Sequence, residues 1–581
     1  MKRVSSYRVL VLDADMVPAL TICRSLSRRG CSVDVAGHTD RPIAGYSRGA
    51  AASYRYPDPL SAATEFVRWL AAHTRDTDYD LVMPVTERTL APLSAARGEL
   101  CHVRLAMPDA RSLELVFDKS QTLGLAQELG VPIPRGISVT EPEELHSLLD
   151  SLHYPVVIKP ARSIGSREGG ARQLQVAYAF DPEGLKASCA HALRFGPVVL
   201  QEYFGGLGVG VELIAREGEI LYSFQHRRIH EVPLTGGGSS LRMSEPLNPR
   251  LLDASARLIK ALNWSGVAMV EFKLNPDSGE FCLMEINGRF WGSLPLAVTA
   301  GADFPSMLLD LETTGEVVPC APYREGVYCR LLSRDLGWYE AVLRGAGDQR
   351  LVRMPSRTEI LSELRLFLRP GHRFDVQGLR DPVPGLVDLR NIVRNYYRRL
   401  SNLVTERLFR IRQARCWRSG QVAQALSTAD SILFMCYGNI NRSALADAMI
   451  RAYAEDTGVA VYSAGFHPED GRRADPVMTE IAAEAGLDLS AIRSSRVDEA
   501  LLRSSDVIFV MEKAHHDRVV ALRPDARDQI YLLGAHAGVA SGDVEILDPY
   551  GQSRDAYISC YSRISNAVDH IKAVLAMRSG D

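Results

Sequence analysis

The tightest constraint on this chain is the octapeptide Cys436-Tyr437-Gly438-Asn439-Ile440-Asn441-Arg442-Ser443. The apolar run Ile432-Leu433-Phe434-Met435 before it predicts a buried strand, and Leu445, Met449 and Ala452 after it recur at helical spacing. The octapeptide is therefore expected to be a strand-to-helix turn whose backbone N–H groups gather at a helix N-terminus, where an anion is favoured. The helix dipole, the loop amides and Arg442 all favour negative charge at Cys436, and Ser443 is placed to hydrogen-bond the sulfur. Far downstream, Asp548-Pro549-Tyr550 supplies a carboxyl suited to protonating the leaving oxygen of a phosphate ester while Cys436 attacks phosphorus in line. The alternative is a buried cysteine beside an unrelated arginine.

With these residues, the segment from about Ser431 to Met577 resembles the low-molecular-weight protein tyrosine phosphatase family, whose pattern is C-x-G-N-x-C-R-S-P followed much later by D-P. Ser463-Ala464-Gly465 and the run Asp506 to Glu512 resemble later strands of that family. The resemblance implies a doubly wound parallel α/β domain, catalytic Cys436, Arg442, Ser443 and Asp548, and a phosphate-binding loop of Tyr437, Gly438, Asn439, Ile440 and Asn441. Two positions depart from the pattern: Asn441 replaces the usual second cysteine and Ala444 the usual proline, which bears on oxidation control rather than on hydrolysis. Arsenate reductases share this fold but need further redox cysteines, and only Cys560 follows Cys436.

The 581 residues are enough for three or four folding units, and the phosphatase-like segment fills about a quarter. A net charge of -3 argues against general nucleic-acid binding, which wants a basic excess. Ten cysteines without a C-x-x-C pair, and a nucleophilic thiol among them, fit a reducing cytosol. Val9 to Leu12 is cut off by Asp13, too short for the apolar core of a signal peptide, and no stretch approaches a membrane span.

The N-terminal half carries a second chemistry. Val9 to Leu12, Ala19 to Arg29 and Ser32 to Ala36 read as strand, helix, strand, a parallel α/β opening whose Asp13-Ala14-Asp15 turn lacks a dinucleotide glycine fingerprint. Tyr154 to Pro160 predicts a strand carrying Lys159, followed by the Gly/Ser-rich Ser163 to Gly170, a pairing suited to polyphosphate and common in ordinary hairpins. Val267, Met269 and Glu271 share one strand face; Phe281, Leu283, Glu285 and Asn287 share another, with Asn275 to Gly279 as the turn. Because the midpoint of 271 and 285 falls inside that turn, Glu271 and Glu285 are expected opposite each other on an antiparallel hairpin. Like charges there repel unless a hard divalent cation sits between them, with Asn287 adding a third oxygen.

These residues, with Lys119, Lys159 and Gln201-Glu202-Tyr203-Phe204, resemble the ATP-grasp superfamily over about residues 5 to 390. The resemblance implies a Rossmann-like N-terminal lobe followed by two α+β lobes. Lys119 and Lys159 would hold the ATP phosphates, Ser166 and Gly169 of the Gly-rich loop would close over them, and Gln201, Glu202, Tyr203 and Phe204 would form the adenine hinge. Glu271, Glu285 and Asn287 would bind Mg²⁺, for which Mn²⁺ can substitute, and Arg289 would steady an acyl phosphate. Gly208 stands where many members place a ribose-binding carboxylate, and Glu212 is its expected replacement. Gln225 to Arg228 and Thr235 to Ser240 fall where the family contacts substrate, although the arginines fit a solvated strand face equally.

Between the modules, Leu389 to Arg418 holds nine arginines and one glutamate beside Ile392, Tyr396, Leu400, Leu403 and Leu408. This reads as a basic amphipathic helix or helix pair, either a packed linker or a peripheral contact for an anionic surface. The expected domains are 1–115, a Rossmann-like lobe; 116–388, the ATP-grasp lobes; 389–428, a basic linker; and 429–578, the phosphatase. The expected protein is a cytosolic bifunctional enzyme: ATP- and Mg²⁺-dependent ligation of a small-molecule carboxylate to a nucleophile, and phosphomonoester hydrolysis, on a shared pathway. A plain kinase outcome for the first half, and a regulatory tyrosine phosphatase with an ATP-sensing half, remain open.

Overall fold

The computed structural model describes residues 7–149, 151–167, 170–318, 321–346, 348, 350–352, 354–537 and 544–579. The chain divides into two compact units, Met1–Val393 and Arg394–Asp581.

The first unit opens with strand Arg8–Val11, helix Val17–Arg28 and strand Ser32–Gly37, as the apolar spacing predicts. Arg8–Val11 lies between Ser32–Gly37 and Leu81–Met83 in a parallel four-stranded sheet whose far edge is Ala50–Arg55. The order reverses at Arg8–Val11, so the loops leaving it and Leu81–Met83 flank a crevice at the strands' carboxyl ends. Asp13, in the left-handed region at φ 54°, fills that position. Its buried carboxylate accepts from the amides of Val85 and Thr86 and from Thr89 Oγ1, at 3.0, 2.8 and 2.6 Å, and so fixes the loop that carries Glu87.

A second four-stranded sheet, in the order Gly136–Val139, Val198–Glu202, Val156–Pro160, Ala177–Ala179, is antiparallel and has its own small core of Val139, Val156, Ile158, Leu185 and Leu200. The hairpin Ile164–Arg167 with Gly170–Gln173 extends from this lobe. Ser166 lies on its first strand; Gly169 falls outside the described residues.

The third sheet has seven strands and joins Leu207–Arg216, Glu219–Val232, Gly238–Glu245, Gly266–Leu274 and Phe281–Asn287 by antiparallel pairing. Alternation sends Val209, Val211, Leu213, Val270 and Phe272 into a core with Leu251, Leu258 and Trp264. The opposite face carries Glu212, His226, Arg228, Arg242 and Glu271, of which Glu212, His226 and Arg242 are fully buried. Glu271 pairs with Glu285 in register, and Met269 with Asn287. The midpoint expectation therefore holds, but an irregularity between Glu271 and Phe272 leaves Met284 unpaired and turns Phe281 and Leu283 into the apolar core, so the expectation that they share one face with Glu285 and Asn287 is corrected. Asn275 closes the turn by accepting from the amides of Asp277 and Ser278 at 2.9 and 3.2 Å.

The second unit is a doubly wound parallel sheet in the order Ala460–Gly465, Ser431–Cys436, Val507–Val510, Ile530–Leu532. The basic segment forms one continuous helix, Pro382–Arg418, and no break separates a helix pair. Leu400, Leu403 and Leu408 remain about 60% exposed, at 61%, 59% and 61%. The last turns do not behave as a linker. Cys416 and Trp417 join the core, Trp417 Nε1 donates to Leu532 O at 2.9 Å, and Gln413 both donates to Ile530 O (3.3 Å) and accepts from the Leu532 amide (2.8 Å). Gln413 thus acts as one more rung on the edge strand, because an edge leaves backbone groups in need of partners.

Gln413→Ala strands two buried backbone groups, so we expect the second unit to lose about 1–3 kcal/mol for each group left unsatisfied. The check is the urea midpoint of phosphatase activity in the intact chain; an unchanged midpoint would mean that Gln413 adds nothing to the edge strand.

Candidate active sites

In the second unit, strand Ser431–Cys436 is buried throughout and delivers Cys436 to the switch point, where the strand order reverses. The chain then turns through residues 437–441 into helix Arg442–Thr457. Asn439 makes the turn possible: it takes φ 52°, a conformation asparagine tolerates, and its side chain accepts from the Ser495 amide (2.7 Å) and donates to Ser443 Oγ (2.9 Å). Gly465 lets the loop lie against the next strand, since a Cβ there would stand 2.7 Å from Tyr437 O. The Asn439 amide donates to Cys436 Sγ at 3.1 Å, and Ser443 Oγ lies 3.0 Å from the same sulfur.

Arg442 is 1% exposed. It pairs with Glu512, donates to Ile546 O at 2.8 Å and meets Asp548 Oδ2 at 2.8 Å. Burial opposes its charge, but Cys436, Asp548 and Glu512 together raise its pKa above the ordinary guanidinium value. Cys436, Arg442, Ser443 and Asp548 are therefore brought together, with Gly438 and Ile440 in the loop and Tyr437 and Tyr550 exposed at its mouth. Asn441 is buried. Behind the loop, burial first and Arg442 second push the His515 imidazole down to about 3, which removes it as a proton donor near neutrality. Burial also pushes the Cys560 thiol up to about 12, so it is no second thiolate nucleophile. Glu512 carries no motif of its own in the sequence, and only the fold reveals it as a partner of Arg442.

In the first unit, Asn287 Nδ2 donates to Glu271 Oε1 (3.0 Å) and Glu285 Oε1 (3.2 Å), which binds the facing carboxylates into one cluster. Lys119 Nζ lies 4.0 Å from Glu285 Oε2 and donates to Ser163 Oγ at 3.1 Å. Burial holds the Lys159 amine down at about 8, against the pull of Glu285. The two glutamates respond oppositely. Burial and the neighbouring Glu285 raise Glu271, while for Glu285 burial is outweighed by Lys119, Lys159 and Arg289, which lower it. Two facing carboxylates, Glu271 largely buried and Glu285 about one-third exposed, and an amide supply hard oxygen donors that fit a divalent cation such as Mg²⁺. Arg289 donates to Phe290 O (2.9 Å) and lies 3.5 Å from Glu87, the residue set in place by Asp13.

At the hinge, Gln201 is buried with Oε1 unpartnered, and Glu202 and Phe204 are half-buried. The amides of Glu202 and Tyr203 are already bonded to Arg135 O and Pro155 O, and Tyr203 Oη donates to Leu351 O at 2.6 Å. Glu212 does not reach the cleft. It is 0% exposed, accepts from Ser293 Oγ at 2.7 Å and lies 3.0 Å from His226 Nδ1, so the expected ribose contact at this residue is corrected to an internal role. The space before Gly208 is instead filled by Arg228 and Glu231, whose Cδ and Oε1 lie 2.8 and 3.0 Å from where a Cβ would stand. Glu231 pairs with Lys273 (3.0 Å) and Arg228 (3.2 Å), and Arg228 continues to Glu271 at 2.5 Å. Arg228 is thus no solvated strand residue, whereas Arg227 points outward to Glu245.

A family model described as low molecular weight phosphotyrosine protein phosphatase matches residues 431–578, and one described as ATP-grasp in the biosynthetic pathway with Ter operon matches residues 194–333. The low molecular weight protein-tyrosine-phosphatase Wzb of Escherichia coli K12 is 32% identical over 138 residues, covering 24% of this chain and 90% of Wzb. The probable phosphatase AmsI of Erwinia amylovora is 35% identical over 138 residues, 24% of this chain and 92% of AmsI. Its crystal structure aligns at 34% identity and a TM-score of 0.23, covering 24% and 90% of the two chains. A biotin carboxylase from Campylobacter jejuni aligns at 17% identity and a TM-score of 0.45, covering 55% of this chain and 74% of that one. Among the described residues, no helix is long and apolar enough to cross a membrane. With its cysteine, arginine and aspartate assembled on a doubly wound sheet, the C-terminal part of this chain belongs to the low-molecular-weight protein tyrosine phosphatase family, joined to an enzyme domain of the ATP-grasp superfamily.

Proposed function

We propose that the first unit transfers the γ-phosphoryl group of ATP to a small-molecule carboxylate, giving an acyl phosphate that a nucleophile attacks, and that the second hydrolyses a phosphomonoester on the same pathway. The observation that carries this reading is the in-register pair Glu271 and Glu285 with Lys119 and Lys159 beside it. A nucleotide sensor has no need of facing, mutually repelling carboxylates, whereas phosphoryl transfer needs a cation held between them. Glu271, Glu285 and Asn287 would hold that Mg²⁺, which supplies charge neutralisation at the phosphates. Lys119 and Lys159 grip the phosphates, Glu231 accepts from the ribose hydroxyls, and Arg289 steadies the transferred group.

In the second unit Cys436 Sγ attacks phosphorus, Arg442 and the loop amides hold the phosphoryl oxygens, and Asp548 gives its proton to the leaving oxygen. Water then cleaves the S–P bond, with Asp548 taking a proton back. Tyr437 and Tyr550, 44% and 65% exposed at the mouth, suit an aromatic phosphate. Together with the similarity to protein-tyrosine-phosphatases such as Wzb and AmsI, they favour one competing reading: hydrolysis of phosphotyrosine in a partner protein.

Three outcomes follow from these assignments. Incubating a metabolite extract with ATP and Mg²⁺ should yield, by mass spectrometry, a phosphorylated adduct that accumulates with Cys436→Ser and is absent with Glu285→Gln. No ATP-dependent product in any sample would instead support the regulatory phosphatase. Asp548→Asn should slow hydrolysis of an alkyl phosphate about 10²–10⁴-fold, and p-nitrophenyl phosphate much less, because that leaving group needs no proton; equal losses would exclude Asp548 as the acid. Lys159, titrating near 8 instead of 10.5, is cationic below pH 8 and loses its charge as pH rises through it. ATP affinity measured by calorimetry should therefore weaken from pH 7 to pH 9, and Lys159→Arg should flatten the dependence.

A further inference from the structure

Helix Pro382–Arg418 changes character along its length. From Phe409 onward it packs on the second unit, and Cys416 and Trp417 are part of that unit's core. Before Phe409, every residue over 394–408 is exposed, so no side of the helix is covered there. A stretch that stands in solvent in this way is normally polar all round. This one is not. Successive residues advance about 100° around the axis, which gathers Tyr396, Tyr397, Leu400, Leu403, Val404 and Leu408 into a stripe about 140° wide. Tyr397 is 70% exposed and Val404 49%, much as the leucines are. By the same spacing Arg394 and Arg399 flank the stripe on opposite sides and Arg407 lies within it. The last turns hold the helix firmly, through the Trp417 and Gln413 hydrogen bonds to the edge strand and the ion pairs of Arg410 with Glu545 (3.2 Å) and Arg412 with Asp528 (2.7 Å). An anchored helix therefore presents four turns of apolar stripe, bordered by arginines, with nothing from its own unit laid over them.

Charge decides what fits over the stripe. Residues 394–408 hold four arginines and one glutamate. A second copy of the chain laid along the stripe brings Arg407 into the seam and sets the bordering arginines of two like-charged helices side by side, which repels. A nucleic acid backbone satisfies the arginines and leaves the leucines, the valine and the tyrosines in water. An interface of anionic lipid answers both needs at once. Its acyl boundary takes the leucines and the valine, its headgroup level suits the amphipathic tyrosine rings, and its phosphates meet arginines that reach outward along their own apolar stems. We propose that residues 394–408 lie in the plane of an anionic membrane surface, the apolar stripe turned toward the acyl chains and the bordering arginines among the lipid phosphates. The helix lies on the membrane and does not span it, and through its packed last turns it holds the phosphatase unit at that surface.

The test floats the full-length protein with vesicles of phosphatidylcholine alone or of equal parts phosphatidylcholine and phosphatidylglycerol. Partitioning onto the anionic vesicles should be at least about tenfold stronger, since each arginine near the lipid phosphates is worth about fivefold. Raising the salt from about 0.1 M to about 1 M should remove most of that difference, because the screening length falls from about 10 Å to about 3 Å. Leu400→Asp combined with Leu403→Asp, and separately Arg399→Gln combined with Arg407→Gln, should each weaken binding about tenfold or more. Hydrolysis of p-nitrophenyl phosphate should stay within about twofold in both variants, which shows the second unit intact. Equal binding to the two kinds of vesicle, or binding to neither, overturns the proposal. Binding that survives the two aspartates overturns it as well, since that is adsorption through the arginines alone and leaves the stripe unused. So does a dimer in sedimentation velocity that the aspartates dissolve, which would give the stripe to a second copy of the chain.

Discussion

Glu271 and Glu285 face each other across one rung of an antiparallel ladder, and much of the first unit's cleft is arranged around that repulsion. Two unit charges about 4 Å apart in a partly buried setting repel by about 4 kcal/mol, a large fraction of the stability of a folded domain. The surroundings divide the load. Lys119 and Lys159 flank Glu285, Arg228 binds Glu271, and Asn287 donates to both. The opposite pKa directions of the two glutamates record this division: the one with lysines beside it is held as an anion, and the other rises. Such a cluster is poised for a cation because most of the cost of assembling the ligands is already met by the fold.

The same tension explains how features distant in sequence come to depend on one another. Arg228 shares its guanidinium among Glu271, Glu231 and Gly237 O, which links the carboxylate cluster to strand Glu219–Val232 and to the glycine turn. Arg289 connects Glu285 with Glu87, whose loop is fixed by the buried carboxylate of Asp13 in the first sheet. The parallel sheet that lacks a dinucleotide fingerprint therefore still serves the site, by positioning a wall.

Period and spacing made part of this legible beforehand. The hairpin register followed from the strand alternation and a turn at the midpoint, and the phosphate loop from an apolar strand running into a helix. What escaped was whatever depends on third-party contacts. Glu212 was on the correct face, but periodicity does not reveal that Ser293 and His226 enclose it. Glu231, two strands from Glu271 in the sheet, comes to lie against Gly208 only because neighbouring strands are close in space. Gln413 lies in a stretch whose composition reads as a basic amphipathic linker helix, yet it completes an edge strand that begins more than a hundred residues later.

The two units, unrelated in fold, arrive at one electrostatic solution. In each, a buried arginine is held between two carboxylates at the chemical centre: Arg228 between Glu271 and Glu231, Arg442 between Glu512 and Asp548. A buried ion pair is close to neutral for stability, because the desolvation cost nearly cancels the attraction, but removing one partner is costly. An arginine with two acidic partners can exchange one of them for an arriving anion or cation complex and still keep the other. Binding then replaces one compensated arrangement by another and leaves no buried charge bare at any step. On this argument the duplicated acids are what allow a guanidinium to be fully buried at a site that must also accept a ligand.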